Sequence, residues 1–153
     1  MYRIMFVCHG NICRSPMAEF LCKNVLQKEG RLQNFLISSS AVSKETIWNG
    51  QGEPIYPQAK KILENLGIDC SKKRSQELKK ADGEKYDLFI CMDEDNVRRA
   101  IDILGWEHSV KVKKLLTYVG EDRDVADPWY TRDFEQTYLD LMKGLKGLLK
   151  SLK

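Results

Sequence analysis

With 153 residues and a 42% hydrophobic composition, the chain has the material for one compact domain, expected over residues 1–153, since a domain usually takes roughly 100 to 200 residues. A net charge of +3, from 25 Lys and Arg against 22 Asp and Glu, excludes the concentrated basic footprint of a nucleic-acid binder, and no stretch approaches the roughly 18 apolar residues of a membrane span. The apolar run at residues 3–7 is too short for a signal sequence, and five cysteines without zinc-type clustering fit reduced thiols, so a cytoplasmic location is expected, with no metal and no cofactor.

In chain order, residues 3–8 form a nearly continuous apolar run, the pattern of a strand buried on both faces of a parallel sheet. Ala18, Leu21, Cys22, Val25 and Leu26 then recur at helical spacing, closed by Gly30. Residues 35–40 predict a weaker strand, and residues 38–58 a long irregular loop of the kind that often carries function. Ala59, Ile62, Leu63 and Leu66, closed by Gly67, predict a second helix, and residues 79–85 a polar connector. A second strongly apolar strand is expected at residues 86–92, a helix at 95–105 and a weaker strand at 110–116. Phe134, Tyr138, Leu141, Met142, Leu145, Leu148, Leu149 and Leu152 share one broad face of a C-terminal helix, despite Gly144 and Gly147. Strands alternating with helices predict an α/β fold.

The stretch Val7-Cys8-His9-Gly10-Asn11-Ile12-Cys13-Arg14-Ser15-Pro16 leaves the first strand and enters the first helix, with Pro16 in its first turn and Ser15 as the expected N-cap. Such a turn aims unpaired backbone N–H groups at one spot, and Gly10 and Asn11 tolerate the left-handed conformations needed to curl around an anion. Residues 8–15, His9, Ile12 and Cys13 included, are therefore a candidate phosphate loop. Cys8 opens it and Arg14 closes it, so a thiol can lie beneath the anion while a guanidinium grips two of its oxygens. The helix end, Arg14 and the N–H array all favour a thiolate, and the Ser15 hydroxyl is close enough in sequence to donate to it. Farther on, Pro128 holds Asp127 on a stiff turn. Taken alone, an Asp-Pro pair is a turn or helix start more often than a catalytic acid.

The residues Val-Cys-x-Gly-Asn-x-Cys-Arg-Ser-Pro-x-Ala-Glu at 7–19 resemble the signature of the low-molecular-weight protein tyrosine phosphatases, and the resemblance extends over nearly the whole chain. It implies a three-layer sandwich of the phosphotyrosine phosphatase I-like, Rossmann-like kind, with a four-stranded parallel sheet and helices on both faces. It also implies hydrolysis of phosphotyrosine and other aryl phosphate monoesters through a phosphocysteine on Cys8. Arg14 would clamp the phosphate, and Asp127 would serve as general acid and then base. Phosphotyrosine-containing proteins would be the partners, with inorganic phosphate as product and weak inhibitor. Ile12, Trp48, Trp129 and Tyr130 would wall a slot for the phenyl ring, and Ile12 with the paired aromatics favours phosphotyrosine over phosphoarginine. Cys13 would act as a resolving thiol toward an oxidised Cys8.

Asp93 and Asn96 resemble a family segment that buttresses the loop together with Asn11 and Ser15, and a contact from Asn96 to Asn11 is expected. One departure stands out: the family often has a histidine and an arginine where this chain has Lys73 and Gln76, which puts support of Asn11 from that side in doubt. His9 and His108 are expected to face solvent, Lys72, Lys73 and Arg74 to be a solvated run, and Cys22, Cys70 and Cys91 to pack internally. Two other activities remain open: an arsenate reductase of the same fold, which needs further relay cysteines, and an inactive phosphotyrosine-binding module, which needs neither nucleophile nor acid.

Overall fold

The computed structural model describes residues 1–152. Its strands are β1 (Tyr2–Cys8), β2 (Phe35–Ala41), β3 (Ile47–Trp48), β4 (Gln51–Gly52), β5 (Leu88–Cys91) and β6 (Val112–Lys114). Its α-helices are α1 (Arg14–Lys28), α2 (Pro57–Asn65), α3 (Asp82–Lys85), α4 (Glu94–Leu104), α5 (Pro128–Thr131) and α6 (Phe134–Ser151).

Four strands form one parallel sheet in the order β2-β1-β5-β6, with Cys8 beside Ala41 and Val7 beside Cys91. Because strand side chains alternate, Ile4, Phe6 and Cys8 enter the layer filled by α1, α2 and α6, whereas Met5 and Val7 meet Ala100 and Leu104 of α4 on the other face. Both faces are therefore apolar, which explains the unbroken hydrophobic runs of β1 and β5. Phe6 and Phe89 are wholly buried on opposite faces, each contributing about 2–3 kcal/mol by burial alone.

The chain leaves β1 toward β2 on one side and returns past it to β5 on the other. β1 thus lies at the switch point of the sheet, and the crevice beyond the carboxyl ends of β1 and β5 is where such folds bind ligands. The loop from Cys8 to Arg14 opens into that crevice.

Several local expectations need correction. The expected irregular loop at residues 38–58 begins with β2 running on to Ala41 and contains the hairpin β3–β4, turned by Asn49 and Gly50 at positive φ. The last sheet strand shrinks to three residues, because 3-10 turns at Trp106–Lys111 and Leu115–Val119 take its flanks. His108 is buried against Gly83, with Glu84 at 3.2 Å, and does not face solvent. Lys73 leaves the solvated run and lies against the buried Glu19 at 3.2 Å. Gly144 and Gly147 do not break α6; added Cβ atoms there would stand 2.5 Å from Leu115 and 2.7 Å from Tyr118, so the glycines allow α6 to pack closely on the 3-10 turn.

Candidate active site

The loop after β1 is held from outside by residues 42–56. The Cys8 carbonyl accepts from the Val42 amide (3.1 Å), that of His9 from Ser43 (3.0 Å), that of Gly10 from the Thr46 hydroxyl (2.8 Å) and that of Ile12 from Tyr56 (2.9 Å). In a trans peptide the following N–H points the opposite way. With these carbonyls drawn outward, the amides of His9, Gly10, Asn11 and Cys13 turn toward the loop centre, making a concave nest for an anion.

Cys8 lies at the base of that nest, 3% exposed. Its sulfur is 3.3 Å from the Asn11 amide nitrogen, 3.4 Å from the Ser15 amide nitrogen and 2.9 Å from the Ser15 hydroxyl. The Asn11 side-chain amide already donates to Ser15 Oγ at 2.8 Å, so the serine proton is free to point at the sulfur. Three donors thus converge on one sulfur. Ser15 is not the helix cap: α1 starts at Arg14, after Cys13, with no side-chain cap bond, because the serine hydroxyl is committed to Asn11 and Cys8.

Asn11 has φ 56, a left-handed conformation that costs a non-glycine residue about 1–2 kcal/mol. Its side chain donates to Ser15 and to Ser39 Oγ (2.9 Å) and accepts from the Gln76 amide (3.0 Å), which offsets that cost. Ser39 in turn donates to Glu19 (2.6 Å), a buried carboxylate paired with Lys23 at 2.7 Å and Lys73 at 3.2 Å. Lys73 and Gln76 therefore do support Asn11, Gln76 through its backbone and Lys73 through Glu19 and Ser39. The expected contact between Asn96 and Asn11 is absent. Asn96 instead closes a capping box with Asp93 at the start of α4 and accepts from the Met92 amide.

That capping box fixes Asp93, which accepts from Arg14 Nη1 at 2.7 Å. The same nitrogen donates to the Val125 carbonyl at 2.9 Å, and Arg14 Nη2 lies 3.4 Å from Asp127. Burial works against the Arg14 charge, but Cys8, Asp127 and Asp93 outweigh it and hold the guanidinium charged. Asp127 caps the short α5, accepting from the Trp129 amide at 3.0 Å. Its loop is anchored by the Val125 amide on Met92 (2.9 Å) and by Lys114, which reaches Asp124 at 3.0 Å and Glu94 at 3.3 Å.

Cys8, Ile12, Cys13, Arg14 and Asp127 face one cavity of about 260 Å³. Trp129 and Tyr130 form one wall, with Trp129 set edge-on to Tyr56 at 5.2 Å and Tyr56 stacked on Phe134 at 5.7 Å. His9, Glu45, Thr46 and Glu53 also line the cavity. Trp48 does not line the cavity: as the last residue before the hairpin turn it projects outward, 72% exposed. Sequence reasoning gave no role to Thr46, Glu45, Glu53, Ser39 and Glu19. Only the consecutive serines at 38–40 in a buried strand, and the glutamate ending the loop motif, hinted at them.

Burial, then the charges of Cys8 and Asp127, push the Cys13 thiol up to about 12, so it stays neutral at ordinary pH. A bound tetrahedral anion would thus meet a sulfur beneath it, a ring of amides and Arg14 around it, and a carboxyl group on the open side. This is an arrangement suited to phosphoryl transfer.

The chain is 32% identical to the low molecular weight protein-tyrosine-phosphatase YfkJ of Bacillus subtilis over all of its own length and 97% of that protein. The YfkJ crystal structure superposes with a TM-score of 0.92, covering 99% of this chain and 94% of that one. The pig low molecular weight phosphotyrosine protein phosphatase is also 32% identical, over 98% of this chain and 95% of its own. The YwlE arginine phosphatase of Bacillus subtilis has a similar structure, with 30% identity and a TM-score of 0.85 over 98% of this chain and 95% of that one. The family model described as low molecular weight phosphotyrosine protein phosphatase matches residues 3–153, and the chain belongs to that family.

Proposed function

We propose that the protein hydrolyses phosphotyrosine in proteins, and aryl phosphate monoesters generally, through a phosphocysteine on Cys8. The observation that carries this reading is the convergence of Cys8, Arg14 and Asp127 on one cavity, with the loop amides turned inward. The Cys8 thiolate attacks phosphorus in line with the ester oxygen. The sulfur–phosphorus bond forms as the phosphorus–oxygen bond to tyrosine breaks, and Asp127 gives its proton to the departing phenolate. Arg14 and the inward amides hold the three equatorial oxygens. Water then attacks the phosphocysteine, Asp127 takes its proton, the sulfur leaves as thiolate aided by Ser15, and inorganic phosphate is released. The same phosphate, at high concentration, competes weakly with substrate.

The apolar wall of Trp129 and Tyr130 and the base at Ile12 suit a flat phenyl ring, which favours phosphotyrosine over the thinner, charged phosphoarginine. Arsenate reduction would need a further relay thiol beside Cys8 and Cys13, whereas Cys22, Cys70 and Cys91 do not line the cavity. A binding module would have no use for Asp127. We assign the activity to the cytoplasm, where five free thiols persist.

Oxidation of Cys8 to its sulfenic acid is read as reversible: the Cys13 thiol attacks that sulfur, a disulfide forms and water leaves. Peroxide-treated protein should regain activity with dithiothreitol, and Cys13→Ser should not. Recovery in both would remove this role from Cys13.

The proposed activity is tested by following phosphate release from a phosphotyrosine and a phosphoserine peptide under reducing conditions. Release from phosphotyrosine alone, lost in Cys8→Ser, is expected. Peptide binding without release would instead favour a binding module.

A further inference from the structure

We propose that Glu45 and Glu53 direct the enzyme to phosphotyrosines flanked by lysine or arginine; this rests on the phosphotyrosine reading above. A pocket built to receive a phosphate dianion has two carboxylates in its lining besides Asp127. The chain as a whole carries a net +3 charge, so an acidic mouth does not follow from composition. At the mouth it repels any phosphate ester that brings no positive charge of its own.

Three of the basic side chains near this wall are already engaged. Lys44, next to Glu45, is turned to Glu77 at 3.7 Å. Arg132 is held by the Tyr56 hydroxyl at 3.1 Å and lies over the Trp129 ring. Arg14 is bound by Asp93 and Asp127 and serves the phosphate. Glu45 has His9 at 3.0 Å, and Glu53 has no ion-pair partner among the described residues. Trp129 and Tyr130 carry no formal charge, and Asp127, the third carboxyl group lining the cavity, is held by Arg14 and the Trp129 amide.

These carboxylates also stand on a fixed backbone. The Glu53 amide donates to the Thr46 carbonyl (3.0 Å) and to Ser75 Oγ (3.1 Å), and the Glu53 carbonyl accepts from the Ser75 amide (2.8 Å). Thr46, adjacent to Glu45, is tied to the Gly10 carbonyl of the phosphate loop itself. The acidic wall is thus held in register with the loop around Cys8.

An extended peptide advances about 3.3 Å per residue, so a lysine or arginine within two positions of the phosphotyrosine reaches this wall, and an aspartate or glutamate there is repelled. An exposed ion pair changes an equilibrium by roughly 1.4- to 5-fold. Attraction of one peptide and repulsion of the other, over two carboxylates, give about a tenfold difference in kcat/KM at low ionic strength, shrinking as salt screens it.

The test measures kcat/KM for isosequential phosphotyrosine peptides with lysine, glutamine or glutamate at the flanking positions, and for p-nitrophenyl phosphate, in the wild type and in a Glu45→Gln/Glu53→Gln double variant. The expected result is a roughly tenfold preference for the lysine peptide over the glutamate peptide that falls to about twofold in the variant. Equal rates on the three peptides, with p-nitrophenyl phosphate still hydrolysed, would overturn this inference while leaving the phosphatase reading intact. A preference unchanged in the variant would also overturn it. Failure to hydrolyse any phosphotyrosine substrate would remove the phosphatase reading and this inference with it.

Discussion

Asn11 shows how one side chain can set the shape of the loop around Cys8. Its left-handed backbone is tolerable because three partners, Ser15, Ser39 and the Gln76 amide, hold its amide group. Asn11→Ala removes all three bonds and leaves the strained φ unsupported, at a combined local cost of about 2–4 kcal/mol. Expressed in the transition state, that lowers kcat toward p-nitrophenyl phosphate by about 30-fold or more, with a smaller change in KM, as steady-state kinetics would register. Asp127→Ala should slow phosphotyrosine hydrolysis by roughly 10² to 10⁴, and much less for an ester whose leaving group needs no proton. Comparing aryl phosphates of rising phenol pKa measures that difference. The spacing of Cys8 and Arg14 around Gly10 and Asn11 was legible in the sequence because the loop is local. The partners of Asn11 were not, because Ser39 and Gln76 arrive from segments whose approach only the folded chain defines. Asn96 was misassigned for a similar reason: a capping box satisfies it within α4 and leaves nothing for Asn11.

At the level of elements, the segment from Gly120 to Asp127 carries the carboxyl group yet has no regular structure of its own. Its rigidity comes from Lys114 at the end of β6, which is nearly buried and collects Asp124, Glu94 and the Asp122 carbonyl, and from the paired bonds between Arg123 and Asp140 of α6. Lys114→Met should therefore loosen Asp127 without touching the phosphate loop. Turnover of substrates with poor leaving groups is expected to drop about tenfold, while inhibition by inorganic phosphate changes little. Equal weakening of both would show that Lys114 supports the whole site. Gly144 provides a packing test: its added Cβ would meet Leu115 at 2.5 Å, so Gly144→Ala should destabilise the protein by roughly 1–3 kcal/mol in urea unfolding, although alanine is the better helix former. In sequence these glycines looked like flaws in a helix; their packing role depends on what α6 lies against.

Over the whole molecule, β1 and β5 announced themselves as unbroken apolar runs because both faces of the sheet are covered. β6 showed only as a weaker strand at residues 110–116, and the β3–β4 hairpin not at all, since two-residue strands are too short to leave a periodic signal. The same burial has a consequence for stability. Cys13 and Cys22 are pushed up to about 12, and Cys91 is raised further, in each case chiefly by burial. The folded protein keeps these protons after the unfolded chain, with thiols near 9, has begun to release them. Stability from this source is complete below pH 9 and declines above it, by up to about 1.4 kcal/mol per pH unit for each thiol. Urea midpoints at pH 8 and pH 10 should differ accordingly, and a flat profile would count against the assigned burial. The position of the phosphate loop at the switch point of the sheet ties this architecture to its chemistry, and the sulfur of Cys8 is where the two meet. The most direct measurement is acid quenching of Asp127→Ala during turnover of p-nitrophenyl phosphate, followed by mass spectrometry of the peptide containing Cys8. A phosphoryl group on Cys8 is the predicted result; turnover with phosphate never found on that cysteine would contradict the account.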